Sequence, residues 1–343
     1  MYNKSLKKQS GAVVLLLFLA LFVLGSTAFL SAMNSTNVPQ IDRNKETIYQ
    51  LQLAKEALLS FAANFHTFGE NSDGDGEISD QGPGYLPCPD TDNDGQPDAP
   101  CTNFEHGRLP TAINLNNGAV FPFNDEYANI DRQFWYVISP AFSENSTFPL
   151  NTSINGLLTI DGFTDYVAVI VAPGDPVINQ NRPGNPITAS HYLEGGNELG
   201  PDFFNSDAVN PATFNDIVLG ITEQEIRTLA ADRAATTIKQ WLDTVHAIFS
   251  IYLEEGPCWG LGNPLPSCGS LDYEFDGLMT LLSANDTYNL RWWATDDWAS
   301  NTIYDQDPLG IGENSKATLV FTNCAITYTL EFGQPMVKDV PTC

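Results

Sequence analysis

An apolar run from Ala12 to Met33, broken only by Gly25, Ser26, Thr27 and Ser31, limits what this chain can become. As a helix its about 22 residues reach ~33 Å, one bilayer crossing. Lys4, Lys7 and Lys8 precede the run, and no acid occurs before Asp42. The positive-inside bias therefore keeps residues 1–11 in the cytoplasm and exports the chain beyond the run. The sequence predicts a basic leader (1–11) and a transmembrane helix (12–33).

Three processing outcomes fit this stretch. One is an uncleaved signal anchor. A second is a secretory signal peptide, since Ser26-Thr27-Ala28 offers small residues at cleavage spacing. The third places the cut between Gly11 and Ala12 and keeps the apolar helix. Lys7-Lys8-Gln9-Ser10-Gly11-Ala12 resembles the leader of type IV pilins and of the pseudopilins of type II secretion. The resemblance implies processing by a prepilin peptidase and a retained helix packed in a filament. Most such subunits carry a glutamate five residues after the processed glycine. Here that position is Leu16, a departure from the major pilins that is compatible with the large minor pseudopilin at the filament tip, which also lacks the glutamate.

Net charge is −27, from 42 acids against 15 bases over 343 residues. This argues against nucleic acid or anionic headgroups as partners and favours cations. Aromatic residues make up 11% and charged residues 17%, the balance of a chain that folds. The six cysteines, Cys88, Cys101, Cys258, Cys268, Cys324 and Cys343, all fall on the exported side, where disulfides form. Of the fifteen pairings that six cysteines allow, the simplest is sequential, Cys88–Cys101, Cys258–Cys268 and Cys324–Cys343.

Along the chain, Pro39 breaks the first helix. From Asp42 to Phe65, Ile48, Leu51, Ala54, Leu58, Phe61 and Phe65 recur at helical spacing, with Lys45, Gln52, Lys55 and Glu56 opposite. Two acidic loops come next. In the first, Asn71, Asp73, Asp75, Glu77 (through its carbonyl) and Ser79 occupy the first nine places of an EF-hand loop. In the second, Asp90, Asp92, Asp94 and Asp98 would be ligands, with Gln96 giving a carbonyl. Neither ends in the usual glutamate; the twelfth places are Gly82 and Cys101. Alternating acids in a turning loop aim several oxygens at one point, which suits calcium, one or two ions in all, at weak affinity. The plainer reading is a solvated Asp/Gly/Asn turn.

Tyr85-Leu86-Pro87-Cys88-Pro89-Asp90, Gly107-Arg108-Leu109-Pro110 and Phe134-Trp135-Tyr136-Val137-Ile138-Ser139 resemble, in order and spacing, a group of bacterial pilin-like exported proteins. The similarity continues through Val167–Gly174, Tyr192–Asn197 and Phe214–Thr222. It implies an envelope or pilus-associated role. Thr111 departs from the aromatic that often follows the Gly-Arg-Leu-Pro run.

By pattern, Phe134–Ser139 is a half-aromatic strand. Tyr166–Ala172 is an apolar strand buried on both faces and ended by Pro173-Gly174. Asp175–Asn210 is loop-like. Thr222-Glu223-Gln224-Glu225 is a capping box opening a helix to about Leu253, striped by Ile226, Leu229, Ile238, Trp241, Leu242, Val245 and Phe249. Trp259, Trp292, Trp293 and Trp298, the last three beside Asp296 and Asp297, read more readily as core than as a ligand face. Ala317–Thr322 and Ala325–Phe332 form a terminal hairpin. No catalytic signature appears: His66, His106, His191 and His246 are isolated, and His191 near Glu194 and Glu198 is the one arrangement with catalytic residue types.

The expected fold is α+β: an N-terminal transmembrane helix continued by an amphipathic helix packed on an antiparallel sheet, with an inserted helical, loop-rich subdomain. Its segments are 1–11, 12–33, 34–66, 67–221 and 222–343. The expected location is the bacterial inner membrane, single-pass, with the C-terminal part periplasmic or in a filament. The expected function is a non-enzymatic structural or assembly subunit, minor or tip-like, of a type IV pilus or type II secretion pseudopilus, stabilised by calcium and disulfides. Its partners would be other pilin or pseudopilin subunits, the inner membrane and the prepilin peptidase. The competing expectation is a membrane-anchored or secreted calcium-dependent, adhesin-like binding module.

Overall fold

A computed structural model describes residues 44–65, 82–114, 120–122, 133–144, 146, 154–178, 180, 182–184, 186–205, 213–244, 302–306, 316–322, 326–331 and 333–339. The chain divides into two compact units, residues 1–50 and 51–343. Of the first unit the described residues are 44–50, which are helical.

The elements in order are helix α1 (residues 44–65), then strands β1 (Gly107–Arg108), β2 (Ala112–Asn114), β3 (Val120–Pro122), β4 (Trp135–Ile138), β5 (Leu158–Ile160), β6 (Phe163–Ala172), β7 (Asp202–Phe203) and β8 (Ile217–Thr222). Helix α2 (Glu223–Thr244) comes next, then β9 (Thr302–Gln306), β10 (Lys316–Phe321), β11 (Ile326–Glu331) and β12 (Val337–Lys338). The strands form a six-stranded sheet ordered β1-β4-β6-β5-β7 with β8 also on β6, a four-stranded sheet ordered β12-β11-β10-β9, and the β2-β3 pair.

Strand β6 is the axis of the larger sheet. Asp161-Gly162 turns β5 into β6 with positive φ at both residues (52° and 81°), the two-residue hairpin that Asp-Gly favours. The far half of β6 pairs antiparallel with β4, while β8 covers its other edge from Tyr166 to Ala172. Val167 to Val171 are fully buried because both faces are covered. Ala168, Ile170 and Ala172, with Tyr136 and Ile138, meet Leu51, Ala54, Leu58, Phe61, Ala62 and Phe65 of α1. Val169 and Val171, with Trp135 and Val137, meet Tyr192, Leu193 and Phe203 on the other side. The period of two along β4 and β6 thus sorts one set of residues into each core.

The helix expected at Asp42–Phe65 is present over residues 44–65. Lys55, placed by pattern on the solvent side, reaches Gly220 O at 2.8 Å and Glu225 Oε1 at 2.7 Å, clasping α1 to the start of α2. The expected capping box forms: Thr222 Oγ1 accepts the Glu225 N–H at 3.2 Å, and Glu225 Oε2 accepts the Thr222 N–H at 2.9 Å. Helix α2 buries Ile226 and Ile238, and between them Ala230, Ala231, Ala234 and Ala235. The remainder of the helix expected to Leu253 lies outside the described residues. The terminal hairpin is β10 and β11, extended into a sheet by β9 and β12. Tyr328 Oη donates to Asp232 Oδ1 at 2.6 Å, and Lys338 Nζ donates to the same oxygen at 2.7 Å, fixing this sheet to α2.

Three expectations are corrected. The architecture is sheet-rich, and among the described residues no helix is long and apolar enough to cross a membrane. This overturns the fold with an N-terminal transmembrane helix and the single-pass inner-membrane location derived from it. The physical reason lies in the helices themselves. Along α1 run Lys45, Glu46, Lys55 and Glu56, and along α2 Glu223, Glu225, Arg227, Asp232, Arg233, Lys239 and Asp243, groups that a bilayer interior disfavours. Segment 12–33 and the processing residues Gly11 and Ala12 lie outside the described residues. The inserted subdomain is also corrected at its first turn, because Ile226 of α2 packs in the same core as α1.

Leu58 is completely buried where α1 meets the sheet. Leu58→Ala is expected to cost about 2–5 kcal/mol of unfolding free energy, read from the urea midpoint at unchanged slope.

Candidate metal centre

The site is built outward from β4. Strand β1 pairs with it, Gly107 opposite Tyr136 and Arg108 opposite Trp135. On its far side β1 holds Asp90 by a two-way bridge: the Asp90 N–H donates to Arg108 O at 2.9 Å, and the Arg108 N–H to Asp90 O at 2.6 Å. Glycine is required at 107 by close approach, since a Cβ there would lie 2.5 Å from the Asp90 carbonyl oxygen. The Arg108 side chain, fully buried, lies between the Trp135 and Tyr192 rings at 4.1 and 4.2 Å, and its Nη1 donates to Gln133 O at 2.7 Å. The start of the acidic loop is thereby fixed to the sheet.

Cys88 and Cys101 form a disulfide across the loop, with Cα atoms 5.6 Å apart, in agreement with the sequential pairing. Cys258, Cys268, Cys324 and Cys343 lie outside the described residues. Glu144 Oε1 accepts the Cys88 N–H at 3.2 Å, and burial raises the Glu144 carboxyl to about 7.

Within the loop, Asp90 is fully buried. Its Oδ1 accepts the N–H of Asn93 at 2.7 Å and of Asp94 at 3.2 Å, and its Oδ2 that of Gly95 at 2.8 Å. Two residues turn the chain with positive φ, Asn93 at 66° and Gly95 at 90°. Asp98 Oδ2 gathers the Thr91 N–H at 2.6 Å, the Thr91 hydroxyl at 2.7 Å and the Asp92 N–H at 3.0 Å. Burial raises the Asp90 pKa; the N–H groups of Gly95, Asn93 and Asp94 offset part of that rise, and the Asp94 charge adds to it. For Asp98, burial acts upward but is outweighed by the Thr91 hydroxyl and the Thr91 and Asp92 N–H groups, which lower it.

Carboxylate oxygens of Asp90, Asp92 and Asp98 lie within 4.8 Å of one another. Three like charges at this spacing repel, and a divalent cation among them removes the repulsion. The cluster has the hard oxygen donors of a metal centre. Of the expected ligands, the structure brings together Asp90, Asp92 and Asp98. Asp94 stands apart, its Oδ1 accepting the Gln96 N–H at 2.8 Å. The first acidic loop, with Asn71, Asp73, Asp75, Glu77 and Ser79, lies outside the described residues, as do Trp259, Trp292, Trp293 and Trp298.

The histidines do not assemble a site among the described residues. His191 Nδ1 lies 3.1 Å from Thr188 Oγ1, while Glu194 turns inward to Arg182, whose Nη2 is 3.5 Å from its Oε1. His106 Nε2 lies 2.9 Å from Asn197 O, and burial lowers its pKa. Arg108 is legible in the sequence only as part of a resembling motif; its role as the buried cation beneath the loop has no signal there beyond an arginine near a strand of aromatics.

Comparison with known proteins finds no matching family model, no matching curated protein and no matching solved structure.

The disulfide and the glycine contact make separate predictions. Replacing the pair (Cys88→Ser with Cys101→Ser) is expected to lower unfolding free energy by about 3 kcal/mol, the loop-closure value for a ring of this size. Gly107→Ala is expected to separate Asp90 from β1, read as faster hydrogen exchange at the Asp90 and Arg108 amides.

Proposed function

We propose that this chain is a structural subunit of a pilin-like assembly and that its Asp90–Asp98 loop is ordered by calcium. The observation that carries the reading is the disulfide-bracketed triad Asp90, Asp92 and Asp98, mounted on the edge strand β1 of the six-stranded sheet. Asp90 is the first place of the loop and Gly95 the sixth, where a calcium loop makes its sharp turn, and the Gly95 N–H bonds back to Asp90. The residues resembling pilin-like exported proteins supply the assembly class. They include the strand Trp135–Ile138 and the loop itself. Other pilin-like subunits are the partners this reading names.

Calcium is the cation this reading names because alternate acids from Asp90 onward, with Gly95 at the sixth place, follow the pattern of a calcium loop. The cation has a structural part here: it balances the triad and holds an exposed loop in one shape.

Two measurements test the reading. With ~10 mM calcium and an affinity on the order of 10⁻⁴–10⁻³ M, unfolding free energy should rise by about 1.4–2.7 kcal/mol. Asp92→Asn and Asp98→Asn should each remove most of that increment; an undiminished calcium response in both variants would place the ion elsewhere. For the assembly class, the native chain should sediment with sheared filaments and cross-link to their subunits. Recovery solely as free monomer would refute it.

A further inference from the structure

On the face of the sheet away from α1 lies a second group of acids that the metal centre does not use. Asp216, immediately before β8, has no solvent exposure. Its Oδ2 accepts the Glu194 N–H at 2.9 Å and Asn197 Nδ2 at 3.0 Å. Its Oδ1 is buried and receives no donor. The Glu194 carboxyl is 7% exposed, its charge acts on Asp216, and its Oε2 accepts the Asn215 N–H at 3.2 Å. Its Oε1 accepts Gln180 Nε2 and faces Arg182.

Two neighbouring buried carboxyl groups disfavour a second charge, and one of them carries a proton. Arg182 stands against Glu194 and leaves that group the anion. The orphaned oxygen of Asp216 is then the natural seat of the proton, since it is buried and no donor reaches it. We propose that Asp216 and Glu194 share one proton and that the pair is a pH-operated latch, holding segments 192–205 and 213–216 against the sheet.

Among the described residues, the charged and titratable groups around the pair are few. Arg182 lies on the Glu194 side. His106 approaches through Asn197 O, with Glu198 beside it. Asn197 itself links the pair to the next turn, its Oδ1 accepting the Phe204 N–H at 2.8 Å. Burial, then the Glu194 charge, raise Asp216 to about 8, against bonds from the Glu194 N–H and Asn197 that lower it. The closed form keeps a proton that the open form, with an ordinary carboxyl, releases above about pH 4. Closure is therefore favoured in acid and weakens as pH rises toward about 8. Above that value both forms are ionised and the dependence ends. Opening sends the proton to water.

Hydrogen exchange of the full chain, corrected for intrinsic rates, tests this at the amides of Glu194, Asn197 and Asn215. The opening constant should rise by up to about tenfold per pH unit between pH 5 and about 8, then level. Asp216→Asn places an N–H donor where the acid proton sat, so its opening constant should be flat across the range. Glu144, which also titrates near neutrality, lies beside Tyr136 in the other core and is unchanged in that variant. If Asp216→Asn does not fold, the Asp216 carboxyl carbon in the native chain is followed by NMR. A midpoint near 8 supports the latch; a midpoint near 4, or a slope that survives in Asp216→Asn, overturns it.

Discussion

Strand β6 has no solvent face from Val167 to Ala172, so every backbone group there must find its partner inside the sheet. β4 and β8 supply those partners on its two edges, and their side chains then have nowhere to go but the two cores. Each buried valine or isoleucine contributes about 1.5–3 kcal/mol relative to exposure. The surrounding elements serve that burial. Helix α1 closes one face, and the turns from Ala189 to Phe203 close the other.

The candidate metal centre inherits its rigidity from the same strand through a short relay. β6 fixes β4, β4 fixes β1, and β1 fixes Asp90. The Arg108 guanidinium between two rings is a full charge out of water, tolerated because aromatic faces and a backbone carbonyl replace its hydration. Its residence in the second core joins the acidic loop to the same turns that carry Glu194. The two acidic groups nevertheless solve opposite problems. The triad is partly exposed and suits a cation from solution, whereas the pair is sealed and meets its charge with a proton.

Much of this is legible in the sequence where one periodic signal dominates. The α1 stripe, the apolar run of β6, the Thr222–Glu225 cap and the Cys88–Cys101 bracket each rest on local spacing, and local spacing survives folding. The apolar pattern starts β6 at Tyr166, three residues late, because Phe163, Thr164 and Asp165 are exposed and break the run. Asp161-Gly162 is the signal that marks the hairpin. Strand β8 is hidden by Gly220, which looks like a break. In the sheet that glycine is obligatory, since a Cβ would lie 2.3 Å from Tyr166 Cδ1. Asp94 looks the equal of its neighbours by alternation; which acids converge depends on the turns at Asn93 and Gly95. The Glu194–Asp216 pair is invisible in the sequence, because 22 residues separate its members and only tertiary packing brings them together. The membrane-spanning architecture fails for a different reason: one apolar segment says little about the helices beyond it, and the described helices are amphipathic.

The bracket at Cys88 and Cys101 has a consequence for the lifetime of the molecule among proteases. Exposed, glycine-containing turns are where such enzymes cut first. Hydrolysis anywhere from Thr91 to Pro100 leaves both new termini covalently joined through sulfur, and the upstream one still bonded to β1. Such a chain is nicked and not shortened. It keeps its sheet and both of its pieces in one molecule.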